Sequence, residues 1–388
     1  MESQKSKKSS NEEPKRSDSV SNQIEKRFWL HIGFPKTGTT SIQAVLTRAS
    51  DHIINSGHWY PRLAGFKNRQ RIANSHHSIF RALTLPAPDD NLSERQIADA
   101  DLAATIERFS NDPQVLQLII SHESFLENVQ PNFELLRQLT SSQPSSIIAY
   151  VRCYDQWIES RYTQYVKESR SQIRPLKKFY LGKLEPNFFS RKLQVFRDQL
   201  PNCQFVVRSL DASRSNGLTE DFLMQMGIQN DSVLQSLIAA KGTSNRGRLP
   251  IVSFFKAYAT AGPDGIELAG IIEQALNAIG DEIAKVPFAD KRFRFLSHKL
   301  KRRARRLYQQ EVEQLRDQFD AQIPDPGSLS ASDLSYATRL TKREYEQTLD
   351  FLRPYLNSSS ANRLQAAFAP GAKVMDGSKW RFWRRFFG

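Results

Sequence analysis

Four short runs rich in β-branched and aromatic residues constrain this chain most: RFWLHI from Arg27, LQLIIS from Leu116, SIIAYVR from Ser146 and QFVVRSL from Gln204. Helical patterns separate them, and they are apolar almost throughout where a half-exposed strand would alternate. That is the pattern of parallel strands joined by crossover helices that cover both faces of a sheet. From about residue 250 strand signals fade. The segment FRFLSHKLKRRARRLYQQEVEQLRDQF places Phe293, Leu296, Leu300, Ala304, Leu307 and Leu315 on one face of an amphipathic helix with a strongly basic opposite face. The pattern continues helically through EYEQTLDFLRPYLNSSSANRLQAAF, with a kink or break at Pro354.

With 388 residues, 39% apolar and 25% charged, the chain can bury a full core as one large domain with extensions. Its expected divisions are a polar tail at 1–26 that cannot repay the entropy of ordering, an α/β core at 27–250, a helical part of the same domain at 251–370 containing a basic helix at 291–322, and a basic aromatic tail at 371–388. Two cysteines far apart, Cys153 and Cys203, give no disulfide framework or thiolate metal site. No run approaches the roughly 20 apolar residues of a membrane span, and no signal-peptide pattern opens the sequence. A cytoplasmic protein is expected.

The net charge of +14 is local. Between Lys291 and Arg306 stand nine Lys and Arg without an acid, and four more follow from Lys379 to Arg385. Charge confined to two patches argues against a nucleic-acid-binding fold. The first patch has three readings: a solvated helix face, a surface for acidic polysaccharide, or a contact with anionic lipid. In the second, Trp380, Trp383 and Phe387 fall on one helical stripe and Arg381, Arg384 and Arg385 on another, which suits either an interfacial helix or a tail packed on the domain.

The chemistry concentrates at HIGFPKTGTT, residues 31–40, between the first strand and a helix expected over Thr39–Arg48. Glycines let the loop fold tightly enough for its amides, with the positive end of the following helix, to surround a phosphate. The Walker loop of nucleotide kinases carries its lysine directly after the second glycine. Here Thr39 stands there and the lysine is Lys36, inside the loop. The neighbouring strand ends in Ser121-His122-Glu123, offering a histidine before any acid that would hold Mg²⁺.

On these residues the chain resembles the sulfotransferases that use 3′-phosphoadenosine 5′-phosphosulfate (PAPS), a family with a three-layer P-loop fold. Their 5′-phosphosulfate loop reads P-K-[ST]-G-T-T, as at Pro35–Thr40. An Arg at a strand end followed eight residues later by a Ser is matched by Arg152 and Ser160 in YVRCYDQWIES, and a Ser/Thr-His step by Ser121-His122. The wording LHIGFPKTGTTSIQ, GHWYP and SHESF is most similar to the bacterial branch that sulfates carbohydrate-type acceptors. The resemblance covers roughly residues 27–245.

The resemblance implies metal-independent sulfuryl transfer from PAPS to a hydroxyl of a polysaccharide, oligosaccharide or glycolipid. Lys36 would meet the charge that builds on the leaving oxygen and sulfuryl group. The amide of Gly38, with the hydroxyls of Thr37, Thr39 and Thr40, would hold the 5′-phosphate. Arg152 and Ser160 would hold the 3′-phosphate, joined by Arg246 and Arg248 of KGTSNRGR if that stretch is the family's basic closing loop. The general base is His122 or Glu123, and both remain open. Two other readings stand beside this one: an ATP-dependent P-loop kinase, and a non-catalytic P-loop protein that binds polyanions or membranes. His76-His77 is an incomplete metal set, and Tyr162 and Tyr165 are expected in the core.

Overall fold

The computed structural model describes residues 25–62, 76–86, 92–126, 130–169, 176, 188–215, 217–240, 250–260, 264–330, 335–337 and 340–367. Arg246, Arg248, the tail at 371–388 and nearly all of the tail at 1–26 lie outside the described residues.

Five parallel strands form one sheet in the order β2-β3-β1-β4-β5: β1 Arg27–Ile32, β2 His58–Trp59, β3 Gln117–His122, β4 Ser145–Val151 and β5 Gln204–Ser209. The central β1 pairs in register with β3, Phe28 opposite Leu118 and Ile32 opposite His122, and on its other edge with β4. The four predicted strands are these elements to within a residue or two. Only the two-residue β2 carries too short a pattern to be read.

Successive side chains of each strand serve opposite faces. Phe28, Leu30 and Ile32 of β1 join Leu118, Ile120, Ile147 and Ala149 in the larger core, while Trp29, Ile119, Ile148 and Tyr150 enter the smaller one. The smaller core is closed by α1 (Thr39–Ile53) and the helices Leu218–Gln225 and Ser232–Ala239. The larger is closed by α3 (Leu92–Asn111), α4 (Phe133–Ser141), α5 (Tyr154–Glu168), the helix Phe188–Gln199 and the helices beyond residue 250, with α2 (His77–Ala82) packed on α3. The architecture is a three-layer α/β fold with a helical C-terminal part, and beyond β5 the described residues form only isolated bridges.

Two boundaries differ from the sequence expectation. Helix α1 runs on past Arg48 to Ile53, because Ala49 and Ile53 continue its buried stripe. The basic helix spans His298–Phe319 where the pattern suggested 291–322. Ser297 caps it, its hydroxyl accepting the Leu300 amide at 3.3 Å, and Asp320 ends it in the left-handed region at φ 49°. Residues 291–297 are held otherwise: the buried Glu159 carboxylate accepts the amides of Phe295 (2.7 Å) and Leu296 (3.0 Å), and Phe293 bridges to Ala337. Those amides satisfy the α5 carboxylate instead of starting a helical turn. As Pro354 predicts, the helix Lys342–Leu352 breaks into a short 3₁₀ turn before Ser358–Ala367.

Candidate functional site

Chain direction across the sheet changes beside β1: its crossover leads out to β2, whereas that from β4 leads the other way to β5. In open parallel sheets ligands bind outside the carboxyl ends of the strands at such a point. Here the loops after β1 and β4 carry Lys36 and Arg152.

The first loop is tight. Thr37 donates its amide (3.2 Å) and its hydroxyl (2.5 Å) to the Phe34 carbonyl, and both Lys36 (φ 71°) and Gly38 (φ 93°) are left-handed. A Cβ on Gly38 would stand 2.3 Å from Leu218 Cδ2, so space as well as backbone conformation requires glycine. At the start of α1 the Gly38 carbonyl accepts the amides of Ser41 (3.0 Å) and Ile42 (3.3 Å), while the first amides of a helix have no intrahelical acceptor. Thr37 is fully buried and Thr39 nearly so, whereas Thr40 is exposed.

Helix α5 fixes the loop from one side. Trp157 Nε1 donates to the Pro35 carbonyl (2.9 Å), and Arg152 reaches both the Lys36 carbonyl (3.3 Å) and Gln156 Oε1 (3.2 Å). Between them opens a cleft of 610 Å³. Lys36 and Arg152 line it at the carboxyl ends of β1 and β4, and Gln156, Ser160, Thr163 and Lys167 follow along one face of α5. Arg294, Lys301 and Arg305 form its far wall. The lining holds six cations against three acids, Asp155, Glu159 and Glu168, and two of those acids are already engaged. Asp155 lies 3.3 Å from Arg305 and 3.9 Å from Lys301, and Glu159 holds the backbone amides described above. Burial pushes the Lys36 ammonium pKa down, and Lys167, Arg152 and Arg161 add to the shift while Glu168 opposes it. An anion in the cleft would relieve this repulsion.

His122 and Glu123 lie on the other side of the loop. The Gly33 amide donates to the His122 carbonyl (3.3 Å), and a Cβ on Gly33 would stand 3.2 Å from Glu123 Cα. The His122 ring is buried, stacked on Phe80 at 3.9 Å. Its Nδ1 accepts the Ser124 amide (3.1 Å) and its Nε2 faces His77 Nδ1 at 3.5 Å. Burial first, then His77 and His76, pull its pKa down to about 3. The neutral ring therefore carries its proton on Nε2. Glu123 is half-buried, with one oxygen 3.3 Å from Gln43 Nε2.

The structure thus gathers Lys36, Arg152 and Ser160 into one cleft, with His122 and Glu123 beside the loop but outside the cleft lining. His76 accepts the Ser121 amide on Nδ1 (3.0 Å), its Nε2 lies 2.9 Å from the Pro61 carbonyl, and among the described residues no group of acids, histidines and cysteines has the makings of a metal site. Tyr162 is buried edge-on to Phe295, and Tyr165 packs on the same core. Sequence reasoning missed Lys167 and the contact of His77 with His122, and it counted Arg294, Lys301 and Arg305 within the basic run without placing them at the cleft. The polar stripe at 156, 160, 163 and 167, at helical spacing opposite the buried Tyr154, Trp157, Ile158, Tyr162 and Val166, was the available signal for the cleft-facing side of α5.

No protein-family model matches this chain, and a search of curated proteins finds no match. Among the described residues no helix is long and apolar enough to cross a membrane.

Proposed function

We propose that the protein is a PAPS-dependent sulfotransferase that moves the sulfuryl group to a hydroxyl of a carbohydrate-containing acceptor by in-line displacement. The observation that carries this reading is the convergence of Lys36, Arg152 and Ser160, from two loops 116 residues apart, on one cleft with an excess of positive charge at the sheet's switch point. The residues suit a donor bearing two phosphates. Leu218 and Leu210 leave no space for a side chain at Gly38, which keeps the loop in its tight turn, and the cleft lacks the acids needed to balance its cations.

The donor supplies an activated sulfuryl group, and the chain's own residues would do the rest. First-turn amides of α1 hold the 5′-phosphate, with Lys36 beside them to meet charge on the departing oxygen. Arg152 presents a planar fork to the 3′-phosphate and Ser160 a neutral donor. The acceptor hydroxyl gives its proton to the protein as its oxygen bonds to sulfur. We assign that proton to Glu123, because His122 has one ring nitrogen engaged by the Ser124 amide and the other already protonated.

A kinase reading retains one favourable observation, the placement of Glu123 against the loop where a Mg²⁺-binding acid would stand. It lacks a lysine after Gly38. Calorimetric titration with 3′,5′-adenosine bisphosphate, and separately with ATP with and without Mg²⁺, decides between them. Metal-independent binding of the bisphosphate with little for ATP is expected. Preference for Mg-ATP would overturn the sulfotransferase in favour of the kinase, and no binding of either would leave a non-catalytic P-loop scaffold.

A further inference from the structure

Helix His298–Phe319 presents three faces. Leu300, Ala304, Tyr308, Val312, Leu315 and Phe319 are buried in the larger core. Lys301 and Arg305, one turn apart, face the cleft around Asp155. The third face carries Lys299, Arg302, Arg303 and Arg306, all exposed. Their spacing of three and four residues makes one stripe about 10 Å long. Among the described residues the side chains of these four make no ion pair or hydrogen bond.

Nothing within the helix accounts for this charge. Like charges three and four residues apart repel, and cations in the first turns oppose the helix dipole. The acids of the helix, Glu311, Glu313 and Asp317, all lie in its C-terminal half. The basic half is the one whose Lys301 and Arg305 meet Asp155 at the start of α5, so the stripe stands on the same turns as two cations of the cleft wall, and exposed Arg294 also lines the cleft.

A lipid surface is the weaker partner for it. Interfacial helices insert an apolar face, and the apolar face of this helix is inside the protein. None of the large apolar side chains exposed among the described residues lies on it. We propose that the stripe of Lys299, Arg302, Arg303 and Arg306 is a docking track for an acidic polysaccharide, whose chain runs along the helix and enters the cleft. This rests on the sulfotransferase reading for what happens in the cleft, and it narrows the acceptor class to polymers carrying carboxylate or sulfate groups.

The test uses the full chain and a variant with Lys299, Arg302, Arg303 and Arg306 all changed to Gln. Fluorescence anisotropy with a labelled heparin octasaccharide and a labelled heparin disaccharide gives the affinities. The parent is expected to bind the octasaccharide and to lose that binding as salt rises. The variant should bind it about tenfold or more weakly, with the disaccharide, too short to span cleft and stripe, affected little. Unchanged octasaccharide affinity in the variant would overturn the proposal. So would tighter binding to phosphatidylserine vesicles or to a single-stranded DNA of equal charge, which would make the stripe a lipid or nucleic-acid contact. Calorimetry with 3′,5′-adenosine bisphosphate runs in parallel on both proteins. Nucleotide binding by the parent without any octasaccharide binding by it refutes the track alone, whereas absence of nucleotide binding in the parent refutes the cofactor reading underneath it.

Discussion

His31 offers a measurement that depends on one atom's surroundings. It sits on β1 with no exposure, its Nδ1 2.8 Å from Ser121 Oγ, against Phe222 and Tyr150, and among the described residues its Nε2 has no hydrogen-bond partner. Burial pulls its pKa from 6.5 to about 3. Because the unfolded chain takes up this proton near pH 6.5 and the folded chain refuses it until about pH 3, His31 costs stability progressively as pH falls through that window. At pH 5.0 the solution lies about 1.5 pH units below the unfolded pKa, at about 1.4 kcal/mol per unit, so acidification from pH 7.5 costs about 2 kcal/mol.

The perturbation is His31→Gln, which keeps an amide for the Ser121 hydroxyl and cannot titrate. Denaturant unfolding at both pH values gives the two stabilities for each protein. The parent should lose about 2 kcal/mol more than the variant on acidification, whatever their difference at pH 7.5. Buried His76 and His122, held at about 4 and about 3, act in the same direction, while Glu159 and Glu311, whose carboxyls burial pushes up, oppose them. All four are common to both proteins and cancel in the comparison. Parallel pH dependences for parent and variant would refute the argument.

Lys36→Ala should lower sulfuryl transfer by about a hundredfold or more while changing bisphosphate affinity little, read by turnover and calorimetry. Arg152→Ala should do the reverse, weakening the bisphosphate by about 1.5–3 kcal/mol, the worth of hydrogen bonds to a charged group. Glu123→Gln should reduce turnover with nucleotide binding intact, whereas full activity in Glu123→Gln, and its loss in His122→Ala, would return the base to His122. Gly38→Ala should cost about 1–3 kcal/mol in thermal or denaturant unfolding and abolish nucleotide binding, because the new methyl meets Leu218 at φ 93°.

What could be read in the sequence was set by range. The strands were visible because a strand buried on both faces is apolar along its whole length, and the loop because glycine, lysine and threonine stand together. The convergence of Lys36 on Arg152 was reached only through resemblance, since it depends on β4 lying beside β1, and no local pattern encodes strand order. The basic run could be counted but not aimed. Which of its nine cations turn toward Asp155 and which toward solvent follows from the phase of a helix that Ser297 begins. The departure of residues 291–297 from that helix depends on Glu159, more than a hundred residues away. The engagement of His122 Nε2 by His77 is likewise invisible along the chain.

Two buried carboxylates give the far wall of the cleft its character. Glu159 of α5 grips the amides of Phe295 and Leu296, and Glu311 of the basic helix takes the amides of Phe189 (3.2 Å) and Ser190 (2.6 Å) together with the Tyr154 hydroxyl. These ties run in both directions between the C-terminal helix and the elements under it. Arg305 is further held by Asp155 and the Pro326 carbonyl. A ligand anion arriving at this wall therefore meets a cation whose backbone and side chain were immobilised when the chain folded. Little ordering entropy is left to be spent at binding, which for a long flexible side chain would otherwise be about 0.5–1.5 kcal/mol.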